Sequence, residues 1–352
     1  MDILVDGHLD LAYNAVVLSR DLLQPVSTIR AQDQAALVAE VGSCTTSFPA
    51  LKDGHVAIVG ASLFVEPHAK LRPTTLQTYR TPQEAHTYAR MQLDYYHRVS
   101  DEEETLTIIH TAQDLDGVIK SGEGQAPRIG MFIVMEGAEP ITDIDDLERW
   151  VDAGVRGIAL TWAAGTRYAG GNGNPGPLTA DGRRLLHAMG EHNLLLDISH
   201  LWEDAADTAL DLYPGPVVAS HANPRHFVES PRMLSDSMIR RVAERDGVIG
   251  AVAYNRHLDA QWRPGEPRLP LSKMVEVIDH VCQVTGDARC ACIGSDLDGG
   301  FGWESTLAEL DTVADLSKLR ELLTARGYGT ADVSAILSGN WLRVMRVALS
   351  AF

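Results

Sequence analysis

Five short apolar runs in this chain each stop at side chains able to bind a divalent metal, and nothing else in the sequence restricts the fold as much. Ile3-Leu4-Val5 leads to His8 and Asp10, and Met131-Phe132-Ile133-Val134-Met135 leads to Glu136. The run from Leu194 to Ser199 leads to His200, Val217-Val218-Ala219-Ser220 to His221, and Ile293-Gly294-Ser295 to Asp296. A lone ligand at a strand end means little. Repeated from residue 8 to residue 296, this placement is that of a β/α barrel with a metal site at its C-terminal mouth, where the strand ends converge.

Strand patterns lie near residues 3 to 8, 56 to 65, 129 to 135, 155 to 161, 194 to 199, 217 to 220, 247 to 253 and 291 to 295. They alternate with helical patterns near 81 to 99, 143 to 153, 180 to 192, 202 to 212, 235 to 246 and 272 to 286. Such alternation predicts βα units around a parallel sheet, and eight is the barrel number. A helical stretch from about 306 to 349 follows, so the expected fold is α/β, a (β/α)8 TIM barrel with additional C-terminal helices. A chain of 352 residues is within the range of one barrel, and a single domain over residues 1–352 is the simpler reading. The start signals are physical: Thr81 precedes Pro82 at a first-turn position, and Ser235 offers an N-cap hydroxyl ahead of Asp236. Residues 104 to 121 add a short strand and helix whose register in the barrel the pattern does not set. Glycine and proline punctuate residues 169 to 177 too densely for a regular element, so this stretch reads as a long loop after the fourth strand, either a lid or plain surface.

With 45% hydrophobic and 22% charged residues the chain can bury a substantial core. Its net charge of −18 excludes the basic footprint that nucleic acid or an anionic membrane demands. No basic segment followed by an apolar one opens the sequence, and no run of about 18 apolar residues occurs, so a cytoplasmic location is expected. Cys44, Cys282, Cys290 and Cys292 have neither the density of a disulfide scaffold nor CxxC spacing. Cys290 and Cys292 open a strand and read as core thiols rather than a metal clip.

On an extended backbone, His8 and Asp10 point the same way and can reach one ion, although such a pair is often only a surface contact. Glu136 ends an apolar pentapeptide with no evident partner, and burying an unpaired carboxylate costs several kcal/mol, so a cation is the better explanation. Its two oxygens can span two metals roughly 3.5 to 4 Å apart. His200 and His221 close successive Val/Leu/Ile-rich strands, each after a serine, which favours ligands over core histidines. Asp296 ends the last strand, whereas Asp298, followed by Gly299 and Gly300, suggests turn service. The remaining ten of the thirteen histidines are expected in solvated helices and loops.

In this order the stops closely resemble the membrane (renal) dipeptidase family of zinc peptidases, which share the metal-dependent amidohydrolase barrel. Asp6-Gly7-His8-Leu9-Asp10, Met135-Glu136-Gly137, Asp197-Ile198-Ser199-His200, Ser220-His221-Ala222, Gly294-Ser295-Asp296-Leu297-Asp298-Gly299 and Gly339-Asn340-Trp341-Leu342-Arg343-Val344 carry the likeness over essentially the whole chain. It implies two Zn2+ per chain, one held by His8 and Asp10 and the other by His200 and His221, bridged by Glu136 and a water or hydroxide. Asp296 would be the general acid/base touching that water. Arg232 matches the family arginine that contacts substrate, and a guanidinium suits a peptide carboxylate, although an ordinary surface cation is its alternative. Tyr254, in Ala253-Tyr254-Asn255, is a further pocket candidate.

One departure matters. Mammalian members have Leu-Thr-His, with a substrate-contacting histidine, where this chain has Leu160-Thr161-Trp162. Bacterial relatives with tryptophan there look like part of the same family, so Trp162 bears on substrate preference, and the chain reads as a bacterial member. The implied activity is hydrolysis of dipeptides, including those with a C-terminal D-residue. Two alternatives stay open: hydrolysis of a lactam, lactone or N-acyl amino acid on the same binuclear site, and a metal-stabilised binding protein without turnover. The expected partner is a small dipeptide, and the oligomeric state stays open between monomer and homodimer.

Overall fold

A computed structural model describes residues 3–68, 74–122 and 127–351. Its strands are β1 (Leu4–Leu9), β2 (Val56–Phe64), β3 (Leu106–Ile108), β4 (Ile129–Glu136), β5 (Val155–Ala159), β6 (Ala169–Gly171), β7 (Asn174–Leu178), β8 (Leu195–Asp197), β9 (Val217–Ala219), β10 (Val248–Ala251) and β11 (Ala291–Ile293). Eight of them run parallel in the order β2-β1-β11-β10-β9-β8-β5-β4, and pairing of β2 with β4 closes the ring. These are the eight predicted strands, and the surrounding helices make the molecule a (β/α)8 barrel. Every residue of β2 and of β4 is buried, which is why these strands read as continuous apolar runs rather than alternating ones. The short strand expected between 104 and 121 is β3; it pairs with the first residues of β4, ahead of the point where β5 joins.

The barrel interior is packed. Val5, Ile58, Phe132, Val134, Leu195, Val218, Val248 and Cys292 come from seven of the eight barrel strands and form one buried cluster with Trp341. Cys292 is thus a core thiol, and all four cysteines are buried and free. Trp341 lies in the helix Asn340–Ala348, whose first residues are tied to β11: Asn340 Nδ2 donates to the carbonyls of Ala288 (2.7 Å) and Ala291 (2.8 Å), and Trp341 Nε1 to that of Ile293 (2.7 Å). Gly7 makes room for the indole, because a Cβ there would sit 1.9 Å from Trp341 Cζ2. The Gly339-Asn340-Trp341 motif therefore packs the barrel interior and ties the C-terminal helix to β11.

Two local expectations are corrected. Residues 169 to 177, read as an irregular loop, form the antiparallel ribbon β6-β7. Gly171-Asn172-Gly173 supplies the turn, and Pro175 and Pro177 are tolerated because each edge of a two-strand ribbon has donors that need no partner. The connection from β1 to β2, for which no helix was expected, holds Leu11–Val16, Val26–Gln32, Ala35–Val41 and Phe48–Asp53. Helices of six or seven residues are too short to display a 3.6-residue period. This connection is held from inside by Asp298, a buried carboxylate that accepts from Thr45 N (2.8 Å), Thr45 Oγ1 (2.7 Å) and Thr46 N (2.9 Å); its backbone, at φ 63°, also makes the turn its glycines suggest. The Thr81 and Ser235 caps form as expected, on the backbone N–H groups of Glu84 (3.2 Å) and Met238 (3.3 Å). Among the described residues no helix is long and apolar enough to cross a membrane.

Candidate metal centre

At the C-terminal mouth of the barrel the expected ligands meet. Ligand atoms of His8, Asp10 and Glu136 lie within 4.8 Å of one another, as do those of Glu136, His200 and His221, and those of His8, His221 and Asp296. Glu136 belongs to two of the three groups: its Oε2 is 3.2 Å from His8 Nε2, and its Oε1 is 3.2 Å from His200 Nε2 and 3.5 Å from His221 Nε2. His8 and Asp10 converge as their spacing requires, with Nε2 3.7 Å from Oδ1. His200 and Asp296 do not continue their strands. Both stand just beyond them in left-handed backbone, φ 64° and φ 59°, which turns each side chain over the mouth at a conformational cost of order 1–3 kcal/mol.

The surroundings leave one nitrogen of each of two histidines bare and aimed inward. Ser220 Oγ donates to Asp197 Oδ2 and therefore accepts from His221 Nδ1 (2.7 Å), which leaves His221 Nε2 without a proton. His200 Nδ1 donates to Asn172 Oδ1 (3.0 Å), so its Nε2 is bare as well. The two bare nitrogens are 3.0 Å apart. Both His8 ring nitrogens are buried with no hydrogen-bond partner. Asp10 accepts from Ser62 Oγ, and Asn14 Nδ2 holds its backbone carbonyl at 3.0 Å. Serine, asparagine and carboxylate partners of this kind fix the tautomer and direction of metal ligands. Asn172, in the β6-β7 turn, was not foreseen; its only sequence signal was its place in the Gly/Asn-rich stretch.

The charges fit a cation. Burial and the neighbouring Glu136 push Asp10 up to about 7, and burial raises Asp296 well above the usual carboxylate range against the pull of His8. Burial disfavours a charged His8, but Glu136, Asp10 and Asp296 outweigh it and hold the ring up at about 10. Burial would raise Glu136, yet the charge on His8 keeps it well below its normal value. Burial, reinforced by Arg232, lowers His200 to about 4, and burial with His8 lowers His221. Three carboxylates, three imidazoles and two orphaned ring nitrogens in one pocket are a mixed oxygen and nitrogen donor set of the type that zinc takes.

Above the ligands lies a cleft of about 420 Å3 that includes Trp162, Arg232 and Tyr254. Trp162 packs against Phe64 (ring centroids 5.2 Å) and flanks His200 (6.0 Å), and Tyr13 continues this wall, 5.2 Å from Phe64. Tyr254 stacks on Phe301 at 4.3 Å to form the opposite wall. Arg232 is no surface cation: Nη2 donates to the His221 carbonyl at 2.6 Å, while Nη1 is buried without a hydrogen-bond partner. His257, one of the ten histidines expected in solvent, also lines the cleft, and its Nδ1 is buried without a partner. Burial and the Arg232 charge hold that ring well below its normal pKa.

Comparison with known proteins agrees with this geometry. The sequence model described as membrane dipeptidase (peptidase family M19) matches residues 2–351. An uncharacterized protein from the pqqA 5' region of Klebsiella pneumoniae is 34% identical over 210 residues, covering 57% of this chain and 75% of that protein. An uncharacterized dipeptidase of Schizosaccharomyces pombe is 27% identical over 304 residues, covering 84% and 71%. The crystal structure of dipeptidase AC, a family M19 metallopeptidase, superposes with a TM-score of 0.81 at 21% identity, covering 99% of this chain and 98% of that one. A Rhodobacter sphaeroides metallopeptidase, liganded with a phosphinate mimic of the dipeptide L-Ala-D-Ala, does so with the same score and identity over 98% and 99%. At that identity the two structures speak for the shared barrel, and the match along the sequence speaks for kinship: the chain belongs to the membrane dipeptidase family, peptidase family M19.

Proposed function

We propose that this chain hydrolyses the peptide bond of dipeptides, including those with a C-terminal D-residue, using two zinc ions. His8 and Asp10 would hold one ion, His200 and His221 the other, and Glu136 would bridge them. The observation that carries the reading is the sharing of Glu136 between two ligand groups at the floor of the cleft. When bound, such ions lower the pKa of water and polarise a carbonyl. Everything else falls to the side chains. Asp296 accepts the proton of the attacking water and returns it to the leaving amine, a task for which its place beside His8 and His221 suits it. Arg232 binds the substrate carboxylate, because a buried guanidinium with an unpartnered Nη1 is most readily satisfied by an anion. Trp162 and Phe64 form an apolar wall against the substrate side chain and keep water from the reacting centre.

Turnover across L-Xaa-L-Xaa and L-Xaa-D-Xaa dipeptides, with and without chelator and with metal analysis of the same sample, tests this reading. Hydrolysis abolished by chelator and restored by zinc is expected, with two ions per chain. Turnover of lactams, lactones or N-acyl amino acids alone would move the substrate class, and tight binding without turnover would remove the enzyme.

A further inference from the structure

Two kinds of group line the cleft. Asp10, Glu136 and Asp296 bring carboxylates to its floor. Beside them stand two nitrogen atoms, Arg232 Nη1 and His257 Nδ1, both buried and neither hydrogen-bonded, on side chains that line the same cleft. Two orphaned polar groups so placed are costly in isolation, and a ligand presenting two acceptor atoms satisfies both at once. His257 is not loosely held. It ends the short helix Asn255–His257 after β10, its carbonyl accepts from Asn223 Nδ2 at 3.4 Å, and its ring meets Tyr254 edge to face at 4.9 Å. With the ring held neutral by burial and by Arg232, it can donate one N–H without setting a second positive charge beside the guanidinium.

We propose that His257 is a substrate-binding residue: it donates from Nδ1 to one oxygen of the dipeptide's C-terminal carboxylate while Arg232 takes the other, and the pair selects free acids over amides and longer peptides. This assignment rests on the dipeptidase reading, so its test must separate the two. Zinc-loaded wild type, His257→Phe and His257→Gln are compared on Ala-Ala and its C-terminal amide. Binding of a dipeptide phosphinate, as free acid and as methyl ester, is measured by calorimetry on the same samples.

In His257→Phe, which keeps an aromatic ring against Tyr254, kcat/KM for Ala-Ala is expected to fall about tenfold or more through KM, and the free-acid phosphinate to weaken by the same factor. The amide and ester should change less than about twofold, and His257→Gln, which retains an N–H donor, should recover much of the loss. Equal losses on acid and amide would show a merely structural role, and an unchanged free-acid affinity would show no contact; either result overturns the assignment. Should His257→Phe fail to fold, the same ratios are read on His257→Ala. A wild type that neither cleaves dipeptides nor binds the phosphinate overturns the dipeptidase reading itself, and this assignment with it.

Discussion

The Asn172 side chain reaches the centre through a single contact, and removing it should loosen a metal without disturbing the fold. Its Oδ1 accepts from His200 Nδ1 at 3.0 Å and so holds the proton on that nitrogen, away from the Nε2 that faces Glu136 and His221. The β6-β7 ribbon stays docked without it, because backbone bonds hold the turn: Asn172 N to His200 O (2.9 Å), Gly173 N to Ala163 O (2.8 Å) and Trp202 N to Gly170 O (3.0 Å). Losing one hydrogen bond of about 1 to 1.5 kcal/mol reduces the population of rings with a bare Nε2 by about five- to twelvefold. Freedom of the ring to rotate adds to this, so Asn172→Ala should weaken one of the two ions by about 10- to 100-fold. Competition against a chelator of known affinity measures the effect, and urea unfolding of the metal-free protein should shift by less than about 1 kcal/mol. Asn172→Asp, which keeps the acceptor and adds charge, should bind at least as tightly as wild type. If Asn172→Ala holds both ions within about twofold of wild type, the tautomer argument is wrong.

Glu136→Gln should lose one ion and nearly all hydrolysis, since a neutral amide bridges cations poorly; elemental analysis showing two tightly held ions would contradict this. Arg232→Met is expected to lower kcat/KM for dipeptides by about thirtyfold, the equivalent of roughly 2 kcal/mol, and a loss within threefold would remove its carboxylate role. Trp162→Phe should keep most of kcat and shift side-chain preference, because the indole packs as a wall against Phe64; a hundredfold drop in kcat at constant KM would instead show a transition-state donor. Against the effect of burial, hydrogen bonds from Arg326 (2.7 Å), Tyr328 (3.1 Å) and Gln283 (2.8 Å) hold Asp279 below its normal pKa of 3.8. Its contribution to stability is thus present above about pH 3.8 and lost as pH falls through the lower folded value. Asp279→Asn should destabilise at pH 7 and converge on wild type in acid, as followed by denaturant unfolding at both pH values.

Much of the barrel was legible because its strands are buried on both faces and so announce themselves as apolar runs; β4 is the clearest case. The ligands were legible for the same reason, since Glu136 after five apolar residues and His221 after Val217-Val218-Ala219 stand where polarity is unexpected. What escaped had no such contrast. Asn172 acts from a two-strand ribbon whose sequence is nearly all turn residues, and its role exists only because the ribbon folds back onto His200. His257 sits among polar neighbours, Asn255, Arg256 and Asp259, which mark a solvated turn, and only the tertiary fold brings it to the cleft that Arg232 also lines. For Asp298 only half was legible: its glycine neighbours mark the turn it makes, while its side-chain hydrogen bonds run to residues 45 and 46, far off in the chain.

The seam between β1 and β11 has a consequence for how the molecule comes into being. Asp6 pairs with Ile293, and Gly7 is filled by Trp341, so β1 leaves the ribosome about 300 residues ahead of the segments that cover it. At roughly 5 to 20 residues per second that wait lasts on the order of 15 to 60 s. Meanwhile Ile3-Leu4-Val5 offers an open apolar edge, the kind of surface on which newly made chains pair with one another. His8 on that strand and Asp10 just past it meet His200 and His221 once the seam shuts, so ion uptake should follow closure, and a ribosome-stalled chain cut before residue 340 should be both aggregation-prone and metal-poor.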